Sequence, residues 1–418
     1  MQRKKNIWIR TSALVGVVAV ASAASAAIDE RSYLFGDDGF ENGSPASPLA
    51  PIFSGNPETL DSAGPGDPDG GGPVTGGFQD LEAFGSPVYT DVSGRPGAGG
   101  GAVGILFDGV DDALITGFSL NSPNAFWDSA VFWEDGVSEY PLNFNGLFGR
   151  SIDLWVKPDA GGTGATQAIV RDTAEHGAFI SEAGNWGMYF DDGAFESTVS
   201  ALDGNWHHVM VLAGPGNLNG GSAFGGSMLV DGVAVMARAT FYDNETTPLS
   251  VGANQAGDGD FFKGMLDDMT FQVWGNNEDD LGLDDAVGGV GYDADGQDYG
   301  ALNLNTDNPW IAAQLAAMGV TNDADVNLDG TLDAADATAF ANGWLSQNVV
   351  EGVQVGDWNS RQAGDLNYDG VTDLRDAFLL HGAFAAAGVD VSMASIIPEP
   401  GSLALLGLGG LALVRRRR

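Results

Sequence analysis

The chain has 418 residues, 63 of them glycine and none cysteine, with 57 acidic against 17 basic side chains and a formal net charge of −40. The missing cysteine excludes a disulfide framework, a zinc–thiolate site and a cysteine nucleophile. So acidic a surface argues against nucleic acid as a partner and makes divalent cations the natural counter-ligands.

The first element in chain order is an address. "MQRKKNIWIR" is a basic stretch, "TSALVGVVAV" an apolar one and "ASAASAA" a small-residue cleavage region. Together they read as a secretory signal peptide over residues 1–26, cut after Ala26 or Ala27. The apolar run is short of the ~20 residues a membrane span needs.

From Arg31 to about Trp274 the chain runs in short apolar or alternating words broken by Gly, Asp and Asn. "AVGILFDGVDDALITGF", "SIDLWVKPDA", "QAIVRD", "NWGMYFDDG", "NWHHVMVLAG", "GGSMLVDGVAV", "PLSVGAN" and "FKGMLDDMTFQVW" each suit strands with their turns. The fold expected over residues 27–275 is mainly β, a two-sheet antiparallel sandwich or jelly roll. "GPGDPDGGGPVTGG" near Gly64 to Gly77 is a long surface insertion in it. Within these strands His207 and His208 are adjacent, so they point to opposite faces, one core-facing and one exposed, and make no metal pair. Asp111–Asp112 and Asp267–Asp268 are candidates for one further calcium site at the sandwich rim, or plain turn-formers. Trp127, Trp133 and Trp186 form either a sugar-stacking platform or part of the core.

Residues 276–322 read as an acidic, Gly-rich linker holding one short helix, capped by Asp307, with Pro309 in its first turn and Gly319 at its end. "DADGQD" at Asp293 to Asp298 is a calcium-like turn with an incomplete ligand set.

The densest chemical signal follows. "DVNLDGTLDAAD" places oxygens at loop positions one, three, five, nine and twelve, on Asp325, Asn327, Asp329, Asp333 and Asp336, with Gly330 at six and the Thr331 carbonyl at seven. "DLNYDGVTDLRD" repeats the set with Asp365, Asn367, Asp369, Gly370, the Val371 carbonyl, Asp373 and Asp376. Calcium wants six to eight hard oxygens, and a short chain wraps it by alternating ligands and turning sharply at a glycine. Two Ca²⁺ are therefore expected in this module. Each loop precedes a helical pattern, "AADATAFANGW" from Ala334 and "LRDAFLLHGAFAAAG" from Leu374, the second with apolar recurrence through Phe378, His381, Gly382 and Ala385. No good helix leads into either loop. The chain closes on Pro398-Glu399-Pro400, an apolar stretch to Val414 and four arginines, which stay cytoplasmic by the positive-inside rule.

Three resemblances sit on these residues. "ILFDGVDDAL", "SIDLWVKP", "NWHHV", "LVDG" and "GMLDDMTFQVW" follow in the order of laminin-G-like, concanavalin A-like domains, and "YLFGDDG" at Tyr33 to Gly39 resembles that fold's opening strand. The fold hosts lectins, adhesion modules and glucanases. Its glucanases carry an E-x-D-x-x-E strand, which is not found here, and Glu134, Glu139, Glu175, Glu182 and Glu196 are isolated. No nucleophile elbow groups Ser, His and Asp. Loop-then-helix duplicated over about Asp323 to Val391, with Asp at position twelve, resembles a type I dockerin module (residues 323–392). That resemblance implies a cohesin-like partner reading positions ten and eleven, here Ala334–Ala335 and Leu374–Arg375, which lack the paired hydroxyls common in the family. Residues 396–418 resemble the PEP-CTERM sorting signal, which implies an exosortase-type processing enzyme, transient membrane association and release at the cell surface.

The sequence thus points to an exported, calcium-binding, non-enzymatic surface or matrix protein whose sandwich binds a glycan or an extracellular protein. The alternative is a carbohydrate-active enzyme or an accessory subunit of a polysaccharide-degrading complex.

Overall fold

The computed structural model describes residues 28–33, 35, 81–116, 148–171, 176–190, 193–214, 225–239, 249–275 and 302–397. The signal peptide, the Gly/Pro-rich insertion, Trp127, Trp133, Glu134, Glu139, Glu175, "DADGQD" and the sorting tail lie outside them. Among the described residues no helix is long and apolar enough to cross a membrane.

Two large antiparallel sheets carry the β words. The first holds β1 (Ile28–Tyr33), β3 (Val88–Asp91), β4 (Val103–Asp108), β6 (Phe148–Pro158), β11 (His207–Gly214), β12 (Gly225–Val230), β13 (Val233–Arg238) and β15 (Lys263–Gly275). Its order is β13-β12-β11-β6-β15-β4-β3, with β1 added beside β15. The second holds β2 (Leu81–Phe84), β5 (Ala113–Thr116), β7 (Gln167–Arg171), β8 (Gly177–Ile180), β9 (Asn185–Phe190), β10 (Gly193–Ser200) and β14 (Ser250–Val251), in the order β10-β9-β8-β7-β14-β5-β2. The opening strand begins at Ile28 and ends at Tyr33, the first residue of the "YLFGDDG" word.

Strand β15 serves two partners along one edge. Lys263 to Leu266 pair with β4, Met269 to Val273 pair with β1, and the register breaks between Asp267 and Thr270. A bulge of this kind bends the strand and re-aims its side chains.

The inter-sheet core joins Ile152, Leu154, Val156, Val209, Val211 and Phe271 of the first sheet to Ile169, Ile180, Trp186, Met188 and Phe190 of the second. Burying each such side chain is worth about 1.5–3 kcal/mol. Met210 and Leu212 point the other way, yet they too are buried, in a second core with Leu229, Leu304, Ile311, Leu315, Val355 and Tyr368. Strand β11 is therefore covered on both faces, and its run "VMVLA" is continuously apolar for that reason.

The cover comes from the C-terminal third: α1 (Leu304–Asp307), α2 (Pro309–Met318), α3 (Ala334–Gly343), the small hairpin β16 (Val349–Val350) and β17 (Val353–Gln354), α4 (Trp358–Gln362), α5 (Leu374–Ala387) and α6 (Met393–Ile396). The stretch from Leu302 to Val320, placed by sequence in a linker, packs on the sandwich. Its helix is capped by Asn308, whose side chain accepts from the Ile311 amide, and not by Asp307, which ends the preceding turn of helix. A third core, with Ala337, Phe340, Ala377, Leu380, Phe384 and Ile396, holds α3, α5 and α6 together. The buried stripe of α5 is thus Ala377, Leu380 and Phe384, whereas Phe378 is 64% exposed. The periodicity read from sequence is one residue out of phase, because Asp376 of the same helix turns into its loop.

Candidate metal centre

The paired loops fold alike, hydrogen bond by hydrogen bond. In the first, Asp325 accepts the Gly330 amide at 2.7 Å and the Asp329 amide at 3.3 Å. Asp336 reaches back from α3 to accept the amides of Val326 at 2.8 Å, Asn327 at 3.1 Å and Asp333 at 2.8 Å. In the second, Asp365 accepts Gly370 at 2.8 Å and Asp369 at 3.1 Å, and Asp376 accepts Leu366 at 2.7 Å, Asn367 at 3.2 Å and Asp373 at 2.8 Å. Asn327 and Asn367 each donate to the position-five carboxylate, at 3.0 and 3.1 Å. Asp333 and Asp373 cap the following helices by accepting the Ala335 and Arg375 amides. The amides of Thr331 and Val371, whose carbonyls sequence assigns to position seven, donate to Asp329 and Asp369.

The turn that closes each loop needs positive φ at two places. Gly330 and Gly370 supply it at position six, with φ 85° and 81°, and Leu328 and Tyr368 adopt it at position four, with φ 58° and 56°. Left-handed backbone is uncommon outside glycine and is held only where the surroundings over-determine it.

The chemistry of the donors fits a hard divalent ion. Asp325, Asp336, Asp365, Asp369 and Asp376 are each 3% exposed or less. Burial pushes the Asp365 carboxyl up to about 7, with Asp376 and Asp369 adding to the shift, and pushes the Asp376 carboxyl up to about 6. Burial likewise raises Asp336. Buried carboxylates are tolerated when paired, hydrogen-bonded or coordinating a metal. Arg375, 67% exposed at its side chain, lies 3.4 Å from Asp369. Each loop gathers all-oxygen ligands of the kind calcium takes.

A short helix, α4, leads into the second loop, which the sequence pattern did not show. It carries Arg361, fully buried, whose Nη2 donates to the carbonyls of Asp323 at 2.6 Å and Asp325 at 3.0 Å beside the first loop. Its Nε donates to Asn305 Oδ1 at 3.3 Å, and the hydroxyl of Tyr368, from the second loop, donates to that same oxygen at 2.7 Å. Arg361 and Asn305 therefore tie the two loops together. Arg361 is one of few basic residues in this stretch, which is the only signal the sequence offered.

The sandwich candidates separate. Asp111 and Asp112 stand with Asp108 at the β4–β5 turn, their oxygens within 4.8 Å of one another. Asp112 there accepts the amides of Ser86 at 2.7 Å and Asp108 at 2.8 Å, which braces the turn. Asp267 and Asp268 lie instead at the β15 bulge, where Arg95 pairs with both at 2.5 Å. The two Asp pairs form no common rim site. Trp186 is fully buried in the inter-sheet core and forms no platform. His208 is the fully buried histidine of its pair, its ring 5.2 Å from that of Trp155 on the outer face of the first sheet. His207 is the half-buried one, on the side of Trp186, held between Asp231 at 2.8 Å and Asp203 at 3.0 Å. Glu182 and Glu196 are exposed, and Glu196 accepts from Ser181 and Asn185.

Comparison with known proteins agrees with this architecture. Residues 138–275 match the concanavalin A-like lectin/glucanases superfamily (Laminin_G_3), and residues 397–418 match the PEP-CTERM protein-sorting motif. The sandwich is thus a concanavalin A-like jelly roll, and the chain is exported to the cell surface or extracellular space and carries the motif processed by exosortase. No curated protein matches the chain. Among solved structures, domain 4 of an extracellular arabinanase from Geobacillus stearothermophilus, in complex with arabinotriose, is 14% identical, with a TM-score of 0.35, covering 62% of this chain and 98% of that one. The Trypanosoma rangeli sialidase is 12% identical, with a TM-score of 0.29, covering 55% of this chain and 31% of that one. The CBM40 of a Ruminococcus gnavus sialidase is 14% identical, with a TM-score of 0.24, covering 30% of this chain and 77% of that one.

Proposed function

We propose that the protein is a calcium-binding, non-enzymatic component of the cell surface or matrix, whose jelly roll holds a glycan or an extracellular protein and whose C-terminal module folds around two calcium ions. The observation that carries this reading is the twin loop: ten side chains at matching positions, with Asp325, Asp336, Asp365, Asp369 and Asp376 buried, while the buried Arg361 between the loops spends its Nη2 on the backbone carbonyls of Asp323 and Asp325. The ligands are Asp325, Asn327, Asp329, Asp333 and Asp336 with the Thr331 carbonyl, and Asp365, Asn367, Asp369, Asp373 and Asp376 with the Val371 carbonyl. A dockerin-like module of this kind would meet a cohesin-like partner at Ala334–Ala335 and Leu374–Arg375, all four exposed.

Calorimetric titration of the chelated mature chain with calcium, followed by a glycan array with and without the ion, tests the reading. Two bound ions and retention of a glycan without turnover support it. No uptake up to millimolar calcium removes the metal centre, and turnover abolished by a single Glu→Gln change removes the non-enzymatic assignment.

A further inference from the structure

The second loop and the helix before it are built into the outer face of the sandwich. Asp357, 1% exposed, caps α4 by accepting the Asn359 and Ser360 amides with one oxygen, at 2.8 and 2.9 Å. Its other oxygen accepts the Ala234 amide of β13 at 3.0 Å, so one carboxylate caps the helix and binds the sheet. The next amide, Trp358, donates to the Gly232 carbonyl at 2.8 Å. Gly232 sits with Asp231 in the two-residue β12–β13 turn, both at positive φ, the arrangement Asp-Gly hairpins favour. Trp310 meets Trp358 edge-on with centroids 5.8 Å apart and lies close over Gly232, where an added Cβ would be 2.8 Å from the indole. Arg238 and Glu351 pair at the rim.

The other end of this five-residue helix lies between the loops. Arg361 binds the first loop's carbonyls, and the Asp365 amide, which opens the second loop, donates to Ser360 at 3.1 Å. Tyr368, at position four of the second loop, belongs to the core shared with Met210, Leu212 and Leu229. The backbone of Val355 fits against Gly370, where a Cβ would come within 2.6 Å of it.

We infer that calcium in the two loops is an intramolecular latch: it holds α4 and the C-terminal module on the outer face of the sandwich, and its loss releases that face. The inference rests on the proposal that the loops bind calcium. Without the ion the clustered carboxylates repel one another, and that repulsion works against the left-handed turns that place Tyr368 and the loop carbonyls bound by Arg361. Release bares the apolar strip of Met210, Leu212, Leu229, Ala234 and Ala237, which the module covers. Linkage makes the effect reciprocal: if calcium favours docking, docking must raise calcium affinity by the same factor.

Hydrogen exchange on the unaltered mature chain, with calcium and with chelator, reads the latch directly. Chelator is expected to raise exchange over residues 225–238 and 304–318 while residues 185–190, in the opposite sheet, keep their protection. The reciprocal arm uses Trp310→Ala and Trp358→Ala, whose rings meet at the sandwich turn and not at the loop ligands. Each is expected to lower calcium affinity about tenfold with two ions still bound. Calcium uptake with unchanged exchange over 225–238 overturns the latch and leaves the calcium-binding reading standing. No uptake at all overturns both.

Discussion

The sandwich and the C-terminal module are held by opposite means. Between its sheets the sandwich buries Trp186, Phe190, Phe262, Phe271 and their apolar neighbours. The module has a core of only eight buried apolar residues of its own and buries five loop carboxylates beside it. Small domains with little apolar burial are marginal without a metal or another staple. Within one chain, then, one region takes its stability from area removed from water, and on the proposed reading the other depends on neutralising its buried charge. The first should ignore ions, and the second should follow them.

The largest effect expected is the loss of the module on removing calcium. In the mature chain, chelator should abolish the helical signal of residues 323–391 and leave a cooperative β melt. Asp325→Ala and Asp365→Ala should each cost one ion by native mass spectrometry, and magnesium, which demands a tight octahedron, should substitute poorly. A module equally helical in chelator would erase the contrast. Next comes the reverse cut. Trp186→Ala opens the inter-sheet core and should destabilise the sandwich by about 3–5 kcal/mol, read from its denaturant midpoint. Calcium affinity should be unchanged provided the outer face of β11 keeps its shape. A variant that loses both together would mean the two cores form one cooperative unit.

Both regions were legible in the sequence to the extent that their signals are local. An Asp/Asn-rich loop is read within twelve residues, and a strand within six, so the loop frames, the helices after them and most described strands lie where the words put them. What the sequence did not show is long-range. Arg361 and Asn305 are 56 residues apart, and Tyr368 and Asn305 are 63 apart, and each pair meets only because α4 and α1 dock on the same sheet face. Met210 and Leu212 read as a buried strand whatever covers them. Trp186 was a candidate for a platform, with core the commoner place for a sandwich tryptophan, until its face was known. Phe378 looked like core because helical period alone does not set phase; Asp376, committed to its loop, sets it.

A finer cut falls inside the module at Asp333, which serves both as loop position nine and as the cap of α3. Asp333→Asn keeps a side-chain oxygen for the cap and removes the charge, so calcium affinity should fall while α3 stays capped. Asp333→Ala should add the loss of the cap, about 1 kcal/mol. Thermal melts in saturating calcium, compared between the two variants, isolate that difference. Equal stability of both variants would mean the cap adds nothing once the ion is bound.

The smallest effect is one that the sandwich should show and the metal centre should not cause. Burial works against the charge on His207, but its hydrogen bonds to Asp231 and Asp203, and their charges, hold its pKa above the usual histidine value. Asp203 is held down to about 2: burial opposes this, and the hydrogen bonds from Asn205 and His207 outweigh it. The raised histidine contributes stability that is complete below its unfolded pKa of about 6.5 and is lost as pH rises through the higher folded value. The depressed aspartate contributes above about 3.9 and fades as pH falls toward 2. The pair is therefore strongest between about pH 4 and 6.5. Because Asp203 is nearly half exposed, solvent screens the interaction, and its contribution should stay under about 1 kcal/mol. In saturating calcium the sandwich Tm should fall by no more than about 3 °C between pH 6 and 8.5, and His207→Gln should flatten that slope. A slope unchanged in the variant would assign the pH response to other groups. Because Asp231 also accepts the His208 amide at 3.0 Å and opens the turn that receives α4, the variant also asks whether this end of the sheet stiffens the docking turn. If it does, residues 231–234 should exchange faster in His207→Gln while calcium stays bound.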